Sequence, residues 1–396
     1  MSLVLISYYD PEPVRNILPL LHARYDKIYM LYCPVEGRPS DMEREKLARF
    51  IKEKFSLTPE YVRVKSNTVE AYLNRFRRFL RPYGEYEFDA AGESSAFVAA
   101  AGVFLKDHPD AKLSLIRYSP RTDRMQMRYP EPPETLPRRV SLTVPDMIAL
   151  RGTFMTKGDQ DGIPVSDEAH DRELLTLWDI VKKNPIGWNK FCMLRTSPDN
   201  EAAWTRRLTT VEDKKIVEKV MPELTEAQLV KNVHSIVENG RERLSFEPDL
   251  LPKNRELLQK AGLALERYVY RCAKRSGLFA DVRTGVEIDW DGLASTGADN
   301  PYNEIDLILS YGNLTAFGSC KNREPTKEDM YEISVLTRHF GGKYAVAMLL
   351  CTLPASSPVK ERAMEMGVVL IDNIRSRTEK SILHRLTQMV HQSTSE

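Results

Sequence analysis

Two short segments of this 396-residue chain carry residue types that could do hydrolytic chemistry together. The first is Asn303-Glu304-Ile305-Asp306. The second, beyond a tight turn at Tyr311-Gly312-Asn313, is Gly318-Ser319-Cys320-Lys321. Asp306 lies in an otherwise apolar run of Ile305, Leu307, Ile308 and Leu309. A carboxylate in such a strand is costly unless it is paired or bound to a metal. The turn falls midway between the segments, so a hairpin would bring Asp306 near Ser319–Lys321. Ser319 and Lys321 are two apart and face the same side of a sheet, as do Glu304 and Asp306. Asp306 and Glu304 are therefore the candidate ligands of a divalent cation, Mg2+ or Mn2+, which would polarise a phosphate and acidify a bound water. Lys321 would position that water or offset the developing charge. The simpler alternative is a buried Asp306–Lys321 ion pair.

Further carboxylates could join the group. Glu266 lies on a helix whose inner face runs through Leu257, Leu258, Ala261, Leu265, Val269 and Cys272, with Gly277 as its stop. Glu328 and Asp329 open a helix beginning at Thr326, where capping alone would explain them. The elements that must hold these residues are strands at 285–289, 304–309, 314–321, 345–351 and 368–371. Helices at 326–340 and 359–366 would flank them, giving a small mixed sheet.

The first 119 residues read as regular βαβα alternation. Apolar strands at 2–8, 27–33, 61–64, 86–90 and 113–118 alternate with helices at 11–22, from Ser40 (a capping box with Glu43), from Thr68, and at 93–106. That pattern predicts an α/β, Rossmann-like doubly wound domain whose ligands bind beyond the C-terminal strand ends. The candidates there are Ser7, Tyr8 and Asp10, then Asn67 and Thr68, then Gly92, Glu93 and Ser94. Gly92 precedes a helix whose first amides could hold phosphate, and ordinary helix capping is the competing explanation. There is no Walker A loop and no GxGxxG fingerprint.

Between these units, residues 120–145 are rich in proline (Pro120, Pro130, Pro132, Pro133, Pro137, Pro145) and read as an irregular crossing segment. Residues 146–250 read as mainly helical, over 174–181, 202–220 and 223–237. The expected units are thus 1–140, a helical connector at 141–250, and a small mixed α/β unit at 251–396.

The net charge of +1 supplies no global field toward nucleic acid or an anionic membrane, so any nuclease reading rests on a site. Five scattered cysteines, with no CxxC pair, argue against a disulfide scaffold or zinc site and for a reducing, cytoplasmic setting. The apolar N-terminus reads as a first strand rather than a signal peptide, and no stretch reaches membrane-spanning length.

The Asp306 and Gly318-Ser319-Cys320-Lys321-Asn322 segments resemble the PD-(D/E)XK nuclease superfamily, in particular a CRISPR-associated family whose second element reads SCKN, which implies a restriction-endonuclease-like α/β fold for residues 251–396. Phe88-Asp89-Ala90-Ala91-Gly92-Glu93 resembles the strand–loop–helix of CRISPR-associated Rossmann-fold (CARF) domains. Together the resemblance spans the whole chain and points to the ancillary nucleases of type III CRISPR antiviral defence. It implies a homodimer that binds the activator cyclic tetra-adenylate across its two-fold axis and is thereby allosterically licensed for metal-dependent cleavage. The chain departs from the pattern at Ser319, where the superfamily has a second acid, and at Ala91, where the family often has glycine. Glu266, Glu304, Glu328 or Asp329 could replace the acid. The substrate (single-stranded DNA, RNA or nicked duplex) stays open, as does whether the N-terminal domain degrades its own ligand. The alternative from a different class is a catalytically degenerate cyclic-oligoadenylate sensor acting as a binding module.

Overall fold

The computed structural model describes residues 2–34, 40–79, 84–92, 94–157, 167–194, 196–198, 204–238, 241–289 and 302–394. The N-terminal strands are β1 (Ser2–Tyr8), β2 (Lys27–Tyr32), β3 (Glu60–Arg63), β4 (Gly84–Asp89), β5 (Lys112–Tyr118) and β6 (Met125–Tyr129). They form one sheet in the order β3-β2-β1-β4-β5-β6, parallel except for β6. Its helices are α1 (Leu18–His22), α2 (Asp41–Phe55), α3 (Val69–Phe79) and α4 (Ser95–Asp107). Strands buried on both faces need two cores, and the sheet has them. Leu5, Ile17, Ile28, Phe50 and Tyr118 fill one side; Ile6, Tyr72, Phe76, Phe88, Phe97 and Phe104 fill the other.

The predicted helix at 11–22 is instead a 3-10 segment, Pro13–Ile17, followed by the short α1. Pro19 has no amide to continue a helical ladder, which favours that break. The proline-rich stretch also contributes more than a crossing: β6 adds an antiparallel edge strand.

Helix α5 (Val144–Leu150) joins the two ends of the molecule. Val144 and Ile148 enter the core beneath the C-terminal sheet, beside Val286, Ile305 and Phe317. Met147 and Leu150 enter the first sheet's core. Residues four apart share one face and those three apart share its neighbour, so a two-turn helix serves both cores.

The middle segment differs from the helical expectation. After β7 (Met155–Lys157) come α6 (Glu168–Lys183), α7 (Pro185–Met193), β8 (Thr196–Pro198), β9 (Trp204–Arg207), α8 (Val211–Glu226), β10 (Val230–Glu238) and β11 (Arg241–Pro248). The strands make an antiparallel sheet, β10-β11-β9-β8. Residues 223–237, predicted helical, are the end of α8 and most of β10. The ladder of β10 slips between Lys231 and His234, and Asn232 has φ +52. That bulge breaks the two-residue alternation by which a strand is read from sequence.

The C-terminal sheet runs β16-β15-β14-β13-β12-β7. Helix α9 (Leu263–Arg275) precedes β12 (Asp281–Asp289), β13 (Tyr302–Tyr311) and β14 (Leu314–Lys321). Then follow α10 (Lys327–Gly341), β15 (Val346–Cys351), α11 (Ser357–Met366), β16 (Val369–Ile371) and α12 (Glu379–Thr394). The helix expected from Leu257 to Cys272 is two pieces, a 3-10 segment at Pro252–Leu258 and then α9. Both bury their leucines on the same side, which preserves the apolar spacing across the break. The edge strand β7 and the last helix, α12, were not expected. One continuous core joins α6–α8 of the middle segment to α9, α12 and one face of this sheet, with Trp178 stacked on Tyr268.

All five cysteines are free thiols. Among the described residues no helix is long and apolar enough to cross a membrane.

Candidate functional site

Strand β13 holds Asp306 between two buried neighbours, Ile305 and Leu307. Its pairing with β14 matches Leu307 to Gly318, which sets Asp306 across from Ser319. Two donors reach one oxygen of the carboxylate. The Cys320 amide donates to Oδ2 at 2.6 Å and the Ser319 hydroxyl at 3.3 Å. The residue at the absent second acid is thus a hydrogen-bond donor to the first. On the other side, β12 pairs Thr284 with Leu307 and Val286 with Ile305, so Gly285 faces Asp306. Gly285 has φ +57, a conformation that glycine adopts without strain.

Glu266 lies in the first turn of α9 and is half-buried. Burial raises the pKa of its carboxyl, and the charges of Asp306 and Glu304 raise it further. Burial likewise raises Asp306, partly offset by the Cys320 amide, Lys321 and Ser319. These carboxyl groups therefore crowd one another with too little positive charge between them. A hard divalent cation would relieve that crowding, since such ions accept one or two protein carboxylates and complete their shell with water and phosphate oxygens. Glu266 and Asp306 fit that sparse donor set, with Glu304, exposed at the rim, as a third charge nearby. Among the described residues no three His, Cys, Asp or Glu side chains are gathered tightly enough to enclose a metal by themselves.

Lys321 ends β14 with its Nζ 3.9 Å from both Asp329 Oδ1 and Glu332 Oε2. These separations are too long for tight pairing, and its side chain stays partly accessible. Asp329 is otherwise committed. Arg323 grips it with two nitrogens at 2.8 and 2.7 Å, and it closes the capping box with Thr326. Those partners outweigh burial and lower its pKa. Glu328 is exposed, and among the described residues no contact ties it to Asp306 or Lys321. Glu332 was missed from sequence. Its signal was its place three residues after Asp329, on the same face of α10.

At the other end of the molecule, the candidates at the strand ends of the first sheet divide into two groups. Ser94 caps α4 through the Phe97 amide at 3.2 Å and donates to Asn67 Oδ1 at 2.8 Å. Tyr72, a residue not foreseen here, donates to the same Asn67 oxygen at 2.9 Å. Gly92 backs directly onto Tyr8: a Cβ there would sit 3.0 Å from the Tyr8 carbonyl oxygen. Asn67, Tyr8, Gly92 and Ser94 are thereby brought together. The Ser7 hydroxyl is buried with no hydrogen-bond partner among the described residues. Thr68 is exposed, with its hydroxyl 3.3 Å from Ser66. Asp10 turns inward, its carboxylate accepting from Arg15 at 2.9 Å and the Glu12 amide at 2.8 Å. Glu93 lies outside the described residues. Asp89, also not foreseen, is 2% exposed at the end of β4. Burial pushes its pKa up to about 7, the charges of Asp10 and Glu87 add to the rise, and the Ala91 amide opposes it.

No family model matches the sequence and no curated protein matches it. Solved structures do match. Protein VC1899 from Vibrio cholerae aligns with a TM-score of 0.71 at 18% identity, over 100% of this chain and 99% of that one. Can2 from Sulfobacillus thermosulfidooxidans, solved in complex with cyclic tetra-adenylate, gives 0.66 at 17% identity, over 98% and 99%. A type III CRISPR defence DNA nuclease activated by cyclic oligoadenylate gives 0.51 at 15% identity, over 93% of this chain and 48% of that one. At these identities the likeness is one of fold, and with the first two structures it extends over nearly the whole chain.

Proposed function

We propose that the chain is a nuclease gated by a cyclic oligoadenylate, cyclic tetra-adenylate foremost, and dependent on Mg2+ or Mn2+. The observation that carries this reading is the placing of Asp306 in β13, held across the β13–β14 ladder by the Cys320 amide and the Ser319 hydroxyl, with Lys321 next along β14 and the Glu266 carboxyl near enough to be raised by the Asp306 charge. In this reading residues 1–140 sense the ligand, 141–250 connect, and 251–396 cleave a nucleic acid. Ser7, Tyr8, Asn67, Thr68, Gly92, Glu93 and Ser94 surround the ligand, and Asp10 acts behind them through Arg15. Two chains pair through their N-terminal units, because a symmetric cyclic ligand calls for a symmetric pocket. The protein acts in the cytoplasm in type III CRISPR defence. Support for the ligand comes from the fold shared with Can2, whose structure contains cyclic tetra-adenylate.

Asp306 and Glu266, with Glu304 at the rim, would hold the cation. Bound, it would polarise the scissile phosphate and acidify a water. The Lys321 ammonium offsets charge developing on the phosphate oxygens. Ser319 and the Cys320 amide favour the ionised form of the Asp306 carboxylate and aim it.

The test is cleavage of single-stranded DNA, RNA and plasmid by the full-length protein, with manganese, with and without cyclic tetra-adenylate. Asp306→Ala and Lys321→Ala should each lower the rate about 10²–10³-fold, by analogy with loss of one oriented charge-stabilising group. Ligand binding should survive in both. One observation favours a second reading, a sensor with a degenerate nuclease fold: Ser319 stands where a second acid would complete the ligand set. Wild-type protein that cuts nothing under any of these conditions would establish that reading instead.

A further inference from the structure

Immediately beyond Lys321, the chain is locked by an amide pair that crosses between segments. Asn322 is 4% exposed. Its Nδ2 donates to Asn189 Oδ1 at 2.8 Å and to the Ala261 carbonyl at 3.4 Å. Its Oδ1 accepts from the Thr352 hydroxyl at 2.7 Å. Asn189 returns the contact, its Nδ2 donating to the Asn322 carbonyl at 2.7 Å. The Thr352 amide donates to the Lys321 carbonyl at 3.1 Å. The orientation of both amides follows from the partners. Two carbonyls can only accept, so each Nδ2 must face one, and that leaves Asn189 Oδ1 for Asn322.

The partners of Asn322 lie on three separate elements. Thr352 follows β15. Ala261 lies in the turn that launches α9, five residues before Glu266. Asn189 lies on α7 of the middle segment, held in place by the buried neighbours Trp188 and Phe191. The two halves of the candidate centre, Glu266 on α9 and the Asp306–Lys321 hairpin, thus meet at one saturated amide, and the middle segment supplies its clasp.

We infer that Asn189, through Asn322, is a positioning residue for the metal-dependent centre, fixing the distance between Glu266 and the strand end that carries the Cys320 amide and Lys321. The inference rests on the nuclease reading for its consequence in catalysis. Its geometric claim concerns the spacing of two metal-binding carboxylates and is testable by binding alone. It also gives the middle segment a part in the active centre beyond joining two ends.

The deciding variant is Asn189→Leu in the full-length protein, which keeps the branched shape and removes both hydrogen bonds. Asn189→Asp is the second variant: it retains the acceptor but sets a carboxylate against the Asn322 carbonyl. Manganese binding is measured by calorimetry, cleavage by kcat and KM, and folding by the metal-free melting temperature. Both variants should bind manganese about 10–100-fold more weakly, the usual scale for losing an outer-shell partner. Cleavage should lose kcat to a similar extent with KM for nucleic acid unchanged, and the metal-free melting temperature should fall by only a few degrees, the scale of losing about 1–3 kcal/mol in a chain of this size. Wild-type manganese affinity in Asn189→Leu would overturn the inference, as would wild-type protein that binds no manganese. A loss matched by an equal fall in melting temperature would also overturn it, reducing the pair to a packing contact. Manganese binding that weakens as expected in a protein that never cuts would uphold the positioning role and remove the nuclease reading.

Discussion

Arg15 and Tyr344 stand 329 positions apart in the chain, and the Arg15 Nε donates to the Tyr344 hydroxyl at 2.8 Å. The same guanidinium holds Asp10, two residues past the end of β1, at 2.9 Å. Beside it, Glu12 accepts from the Lys343 amide at 3.2 Å and pairs with Arg151, which donates to the Gly341 carbonyl at 3.0 Å. The loop leaving the candidate ligand pocket thus grips the C-terminal end of α10. The N-terminal half of the same helix carries Asp329 and Glu332, the carboxylates nearest Lys321. Fifteen residues of helix span about 22 Å, so α10 reaches from the contacts with Glu12 and Arg15 to the carboxylates beside Lys321.

Tyr344→Phe removes one end of this contact and keeps the ring. The lost hydrogen bond is worth about 1 kcal/mol, against coupling energies of about 1–3 kcal/mol in allosteric proteins. Stimulation of cleavage by cyclic tetra-adenylate should therefore fall several-fold, while unstimulated cleavage stays near wild type. An unchanged ratio of stimulated to unstimulated rate would remove this contact from the coupling.

Ser319→Ala bears on the pH dependence. The Ser319 hydroxyl donates to the Asp306 carboxylate and so favours its charged form; without it, a carboxyl already raised by burial rises further. A raised carboxyl is protonated at low pH and must ionise before it can hold a cation, so manganese affinity should increase with pH in the wild type. In Ser319→Ala the same increase should be displaced to higher pH. Superimposable pH profiles of manganese binding would show that Ser319 has no hold on the acid.

The first sheet was legible because its central strands β1 and β2 read as nearly uninterrupted apolar runs and strand–helix alternation is regular around them. The Asp306–Lys321 hairpin was legible because one acid interrupts such a run. Features set by pairing between distant segments were not. The bulge at Lys231–His234 hid β10, the unbroken leucine spacing hid the break before α9, and β7 is too short to carry a pattern. Asn189 had no local signal at all, since what it holds lies 133 residues away. Asp10 was placed correctly at a strand end, but the inward turn of its side chain depends on Arg15 and on a tyrosine near the other end of the sequence.

Asp89 gives a stability prediction whose sign follows from its burial. Its folded pKa of about 7 lies above its ordinary value of 3.8, so the folded protein binds the proton more tightly than the unfolded chain. The neutral acid is tolerated, and stability declines as pH rises from about 4 through about 7. Asp89→Asn carries no charge and escapes that decline. Its melting temperature relative to wild type should improve steadily between pH 4 and pH 8, offset by a constant term for the Ala91 amide contact. A difference between the two proteins that does not vary with pH would contradict the shift.

Asn67 and Gly92 test the ligand pocket itself. Asn67 accepts hydrogen bonds from Ser94 and Tyr72 and so fixes two hydroxyls at the strand ends. Asn67→Ala frees both. If they or Asn67 contact a charged ligand, each lost hydrogen bond should weaken cyclic tetra-adenylate binding by about 1.5–3 kcal/mol. Gly92→Ala acts differently, by crowding. Its new methyl would meet the Tyr8 carbonyl oxygen at 3.0 Å and Cβ at 3.1 Å, so Tyr8 must give way by a few tenths of an ångström. If Tyr8 touches the ligand, that displacement should weaken binding without removing any polar group. The pair of variants therefore separates a polar contact from a shape contact in calorimetric titrations of the full-length protein. Loss in Asn67→Ala alone would assign the ligand to the Asn67–Ser94 side of the pocket. Loss in Gly92→Ala alone would assign it to Tyr8. Wild-type affinity in both would move the ligand away from these strand ends altogether.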